Sequence, residues 1–123
     1  MANPNIVSVS TINGQTVTAT LTTSAASIVS NAASSGKVYK VNTVICSNID
    51  GTSNVDVSVA INSAAAGAGS DKFFAKTVVV PADSSLVIID KNSAFYLLED
   101  KSITALASAA SDCDITISYE EIS

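Results

Sequence analysis

The side chains that could do chemistry in this chain are eleven carboxylates, six lysines, two cysteines and the hydroxyls of Ser and Thr, which make up about a quarter of its 123 residues. The carboxylates come in pairs: Asp112 and Asp114 flank Cys113, Glu99 adjoins Asp100, and Glu120 adjoins Glu121. A glycosidase-type acid and base would need two carboxyls facing across a cleft, one with a raised pKa, usually beside aromatic platforms for sugar. Aromatic residues are only 5% of the chain and tryptophan is absent, so these acids read as solvated turn residues. Histidine is also absent. That removes the usual general base near neutral pH, the Ser-His and Cys-His nucleophile pairs, and every imidazole metal site. The hydroxyls therefore lack a base, and no nucleophile elbow accompanies them.

Three further motifs reduce to structural readings. Asp50-Gly51-Thr52-Ser53-Asn54-Val55-Asp56 has the look of a calcium loop but lacks its regular acidic spacing and terminal bidentate Glu. Gly67-Ala68-Gly69 fits neither a dinucleotide nor a phosphate loop. Cys46 falls in an expected strand and Cys113 in an expected turn, with no CxxC pair, so both read as free thiols. The expectation is a protein without catalytic residues, cofactor or metal, and not an enzyme.

Charge narrows the partners. The formal net charge is -5, arginine is absent, and Lys37, Lys40, Lys72, Lys76, Lys91 and Lys101 are scattered among acids. Such a surface repels a polyanion, and there is no Arg fork for phosphate or guanine, so nucleic acid is not an expected partner. Val78-Val79-Val80 and Leu86-Val87-Ile88-Ile89 are far too short to span a bilayer, and the first residues show no basic and apolar leader pattern. A soluble protein made in a cytosol is expected.

The elements that would carry these residues are strands. Val, Ile and Thr suit a pleated, half-buried surface, and apolar and polar residues alternate along most of the chain. Strands are expected at 6–12 and 15–22, joined by a type I′ turn at Asn13-Gly14. Residues 25–30 fit a strand or a helical turn. Further strands are expected at 37–47, 54–61, 73–80, 86–90, 94–98, 103–108 and 114–120, with 62–71 an exposed loop. In 37–47 both alternating sets are apolar, which suggests a central strand or one covered by a partner. The fold expected is all-β, an antiparallel β-sandwich (jelly-roll-like) of about eight short strands, in a single domain over residues 1–123. Residues 1–12 could instead form an extended N-terminal arm.

Several segments resemble small structural proteins of tailed bacteriophages, especially marine cyanophage myoviruses. They are Met1 to Val7, Gly36 to Val41, Ser47 to Thr52, Ala75 to Ala82, Leu97 to Ala105, and Ser118 to Ser123. Glu99 stands where that group usually has glycine. The resemblance implies a virion component. It makes a capsid decoration (cement) protein the first expectation, bound to the major capsid protein or another virion structural protein and forming a homo-oligomer, a trimer being favoured. A neck, tail or baseplate accessory and a receptor- or glycan-binding module are the alternatives. The candidate interface is the Val- and Ile-bearing start, Asn3, Pro4, Asn5, Ile6, Val7 and Val9, because an extended apolar end can add a strand to a neighbour's sheet.

Overall fold

A computed structural model describes residues 4–123. The alternation of β-branched and small polar residues becomes nine strands, in chain order β1 (Ile12–Thr20), β2 (Ala26–Asn31), β3 (Val38–Asn48), β4 (Val55–Asn62), β5 (Asp71–Val80), β6 (Ser85–Ile89), β7 (Phe95–Leu97), β8 (Lys101–Ala107) and β9 (Cys113–Ile122). A single 3-10 turn, Lys91–Ser93, separates β6 from β7, and Asp90 caps it by accepting from the backbone of Asn92 and Ser93. Among the described residues there is no α-helix, and no helix is long and apolar enough to cross a membrane.

The strands form two antiparallel sheets. One runs β1-β9-β3-β6, with β7 pairing the other half of the same β3 edge; the second runs β2-β8-β4-β5. First pairs with last, second with second-last, and so inward, β7 aside, which is the wrapping of a jelly roll. The expected sandwich is therefore present, with nine strands rather than about eight. The apolar residues in both alternating sets of segment 37–47 trace to a register shift between Val41 and Thr43 in the ladder with β9, which brings Val44 and Cys46 to the same core face as Tyr39 and Val41; β3 is interior to its sheet, with β9 on one side and β6 and β7 on the other.

The core lies between the sheets. Val41, Val44 and Cys46 of β3 and Ile115 and Ile117 of β9 meet Val57 and Val59 of β4 and Ile103 and Ala107 of β8, all fully buried. Medium-sized aliphatics fill the space; four of the six aromatic side chains pack with them in two pairs, Tyr39 stacking on Tyr119 at 4.9 Å and Phe74 lying against Phe95 at 5.5 Å.

One local expectation is corrected. Asn13-Gly14 is not a hairpin turn: β1 passes straight through it, with Asn13 opposite Glu121 and Gly14 opposite Glu120. Residues 6–11 accordingly form no strand. A lone hairpin is marginal, whereas nine consecutive pairs with β9 place Val17 and Ala19 over the core, so the distant partner wins. The ambiguous segment 25–30 is resolved as β2, because Val29 is needed in the core opposite Ile103.

Between Asn62 and Asp71 the chain is the expected loop, mostly exposed, and it is pinned around Asn62, the last residue of β4, which is 1% exposed. Its side-chain nitrogen donates to Gly69 O at 3.1 Å and to Asp71 Oδ1 at 2.7 Å, and its oxygen accepts from the backbone of Ala64 at 3.0 Å and Gly69 at 2.8 Å. Ser102 and Ser30 hold the loop from below by donating to the carbonyls of Ala64 and Ala65.

Both cysteines are free and buried, each with no exposed surface. Their thiols are neighbours; the hydrogen bond shared with Cys113, and then burial, push the Cys46 thiol far above the ordinary thiol range. A thiol reagent added to the native protein should leave both cysteines unmodified, and both should react once denaturant is added. Rapid labelling of either in the native state would mean that the core at Cys46 and Cys113 is open.

Candidate interaction surface

Of the residues expected to form an interface, Asn3 lies outside the described residues, and the other five belong to an irregular arm leading into β1. Asn5 makes a local turn, its side-chain oxygen accepting from Val7 N at 3.0 Å and its carbonyl from Ser8 N at 3.1 Å. The arm is then tied to the other end of the chain. Ser10 N and Thr11 N donate to Ser123 O at 2.7 and 3.1 Å, and Ser123 N returns a bond to Thr11 O at 2.9 Å.

The arm lies at the outer face of the larger sheet rather than in its core. Pro4 and Ile6 meet Val38, Tyr96 and Leu98 around an apolar hollow of about 260 Å³. Val38 and Ile122 are opposite each other in the β3–β9 pair, and both are buried. Around them the surface stays apolar and open: Ile6 is 53% exposed, Val7 88%, Tyr96 43% and Leu98 42%. Val9 is half-buried. Scattered apolar residues are ordinary on a protein surface, but a contiguous group marks a place of contact. Tyr96 in β7 and Leu98 just after it were missed by sequence reasoning because 94–98 reads as an ordinary short strand; only the path of the arm brings them to Ile6.

Beside this end the strands carry a polar cluster. Lys37 pairs with Glu121, and Tyr39 and Tyr119 stack alongside. Glu121 raises the Lys37 pKa through its hydrogen bond and charge, while burial is the main cause that raises both tyrosines.

The remaining candidates do not converge on a reaction centre. Asp50 holds Thr52, accepting from its backbone at 2.9 Å and its hydroxyl at 2.8 Å; these bonds lower the Asp50 pKa. Asp114 accepts from Thr20 Oγ1 at 2.8 Å. Glu99 accepts from Gly36 N at 3.2 Å. Among the described residues no group of three His, Cys, Asp or Glu side chains could hold a metal ion. A hollow of about 450 Å³ beside β1 and β9 is lined by Thr18, Ala19, Thr20, Asp114 and Thr116, with the Asp114 carboxylate held by the Thr20 hydroxyl.

No protein-family model and no curated protein matches the chain. Among solved structures it is similar to a chain from Bacillus endospore appendages, described as forming a novel family of disulfide-linked pili. The TM-score is 0.55 at 18% identity, over 92% of this chain and 87% of that one. At that identity the likeness is one of fold.

Two outcomes follow. Burial raises both tyrosines and Glu121 raises Lys37, so their contribution is complete below about pH 10, the ordinary tyrosine value, and is lost as pH rises through the folded-state values. The thermal midpoint should fall above pH 10, and a Tyr39→Phe/Tyr119→Phe double variant should fall less steeply. An identical alkaline slope in both proteins would remove the tyrosines from the explanation. Asn62→Ala should cost about 2–3 kcal/mol in denaturant unfolding, since the backbone N–H groups of Ala64 and Gly69 lose their side-chain acceptor and the Gly69 carbonyl its side-chain donor, while Asp71 keeps Thr104. A cost near zero would show that the loop does not depend on that clamp.

Proposed function

We propose that this chain is a non-enzymatic structural subunit of a virion, a capsid decoration protein that binds the outer surface of the major capsid shell and stabilises it. The observation that carries the reading is the apolar surface where exposed Ile6, Tyr96 and Leu98 surround one hollow, with exposed Val7 next to Ile6 in the arm. The arm that bears Ile6 and Val7 is anchored at Thr11 and Ser123 and leaves those side chains outward. A partner that covers them gains roughly 25 cal/mol for each Å² of apolar surface removed from water. One such site is weak, and many copies on a repeating lattice make the attachment firm.

Three other observations support it. The phage-like segments are spread along the chain, from Met1 to Val7 at one end to Ser118 to Ser123 at the other, and cover about a third of it. The buried polar side chains brace the fold rather than face a cleft: Asn31 donates to the carbonyls of Lys37 and Leu97, and Asn48 to those of Ser53 and Val80. The jelly roll is also the fold of a pilus subunit, that of the Bacillus endospore appendages, so the architecture suits many-copy assembly.

The test is copy number and attachment. Quantitative mass spectrometry of purified virions should find the chain in hundreds of copies per particle. A few copies to about a dozen would place it instead at the neck, tail or baseplate, and absence from virions would overturn the reading. Protein lacking residues 2–9 should keep its thermal midpoint within a few degrees, because β1 and the Thr11–Ser123 bonds remain, yet lose particle binding. Undiminished binding would rule out the arm as the docking element.

A further inference from the structure

The two sheets have four edges, and three of them are blunted. β5 bears Asp71, Lys72 and Lys76 and shifts register twice against β4. β2 spans six residues and shifts register between Ser27 and Val29. The β6 and β7 edge is broken into pieces of five and three residues, with a shift between Val44 and Ile45. Charges, bulges and short lengths are the usual means of keeping an edge from pairing with another chain. β1 has none of them: nine residues, Ile-Asn-Gly-Gln-Thr-Val-Thr-Ala-Thr, without charge, proline or register shift, paired with β9 alone.

The register shows which of its backbone groups are open. Thr11 and Ser123 exchange hydrogen bonds in both directions, and Leu21 N donates to Cys113 O, so the odd-numbered residues turn their N–H and C=O toward β9. Alternation then turns those of Ile12, Gly14, Thr16, Thr18 and Thr20 outward. Thr16 is the midpoint of the strand.

The geometry points to a second copy of this chain as the occupant: β1 pairs antiparallel with its own counterpart about a two-fold axis at Thr16, joining two five-stranded sheets into one. In that register Ile12 faces the partner's Thr20, Gly14 its Thr18, and Thr16 itself. Every outward group finds a partner, in about ten backbone hydrogen bonds. The pairing is self-complementary, as a two-fold interface requires. Charge favours this edge over β5, and unbroken length favours it over the others: the molecule carries a net charge of -5, β1 is a nine-residue strand without a charged side chain, and β2, β6 and β7 are uncharged but span only six, five and three residues. The inference does not depend on where the subunit sits on a particle, since it concerns the isolated protein.

Sedimentation across a concentration series should show a monomer–dimer equilibrium. Thr18→Pro deletes an outward N–H without touching a bond to β9, and Thr18→Lys sets two charges at the seam; each should weaken the dimer on the order of tenfold or more while the thermal midpoint stays near that of the parent. As a check that does not rely on those variants folding, Thr16→Cys should cross-link into a covalent dimer under mild oxidant, because it faces its own copy. Thr20→Cys, which faces the partner's Ile12, should not. A monomer at every concentration, a trimer, an open-ended ladder of larger species, a dimer indifferent to both Thr18 variants, or equal cross-linking at the two positions would overturn the proposal.

Discussion

Backbone hydrogen bonding at the sheet edges is the constraint on which the rest of this structure turns. Two sheets packed face to face bury their apolar residues against each other, but each edge strand keeps a row of N–H and C=O groups without a strand beside it. The interior is settled by aliphatic packing, with Val41, Val44, Ile115 and Ile117 meeting Val57, Val59 and Ile103. The edges are settled one at a time, by bulges, charges or shortness, and at β1 by none of these. Rigidity comes from a related source. β2, β3 and β4 each end in a buried asparagine, Asn31, Asn48 and Asn62, whose side chain reaches the backbone of the next loop or strand and ties the connections to the sandwich.

These features together favour a part that works by contact. A fold whose polar interior groups are occupied in bracing itself offers its surroundings an apolar surface at one end and a strand edge at one side. The first suits attachment to a dissimilar neighbour, since it uses side chains at Ile6, Val7, Tyr96 and Leu98. The second suits pairing with a like strand, since it uses the backbone. The two surfaces are compatible: the arm leaves β1 at the Thr11–Ser123 bond and runs toward Val38 and Tyr96, away from the outer side of β1. Proposed attachment to a shell and proposed pairing between copies can therefore operate together.

Much of the fold was legible because it depends on local alternation. Segments 37–47, 54–61, 73–80, 86–90 and 103–108 each carry a period of two that survives in the strands. β3 is interior to its sheet as expected, but the apolar residues in both sets of 37–47 share one core face, because the register shift between Val41 and Thr43 resets the alternation. What failed was the reading of signals whose meaning depends on a distant partner. Asn13-Gly14 has the chemistry of a tight turn, yet Ile115 and Ile117, a hundred residues away in order of magnitude, demand Val17 and Ala19 opposite them, and the backbone stays extended. The burial of Asn31, Asn48 and Asn62 at the strand ends could not be seen because it arises from the loops that fold over them. The candidate interface was legible only as an apolar stretch, Ile6-Val7. Tyr96 and Leu98 join it through a chain crossing that no local pattern encodes.

The claim that β1 is an edge held open for another copy can be examined amide by amide. Hydrogen exchange measured at low and at high protein concentration should find Asn13, Gln15, Val17 and Ala19 protected in both, since their N–H groups face β9. Gly14, Thr16, Thr18 and Thr20 should exchange freely in dilute solution and become protected as the concentration rises. Protection of all of these amides in dilute monomer, or free exchange of the even-numbered set at every concentration, would contradict the account.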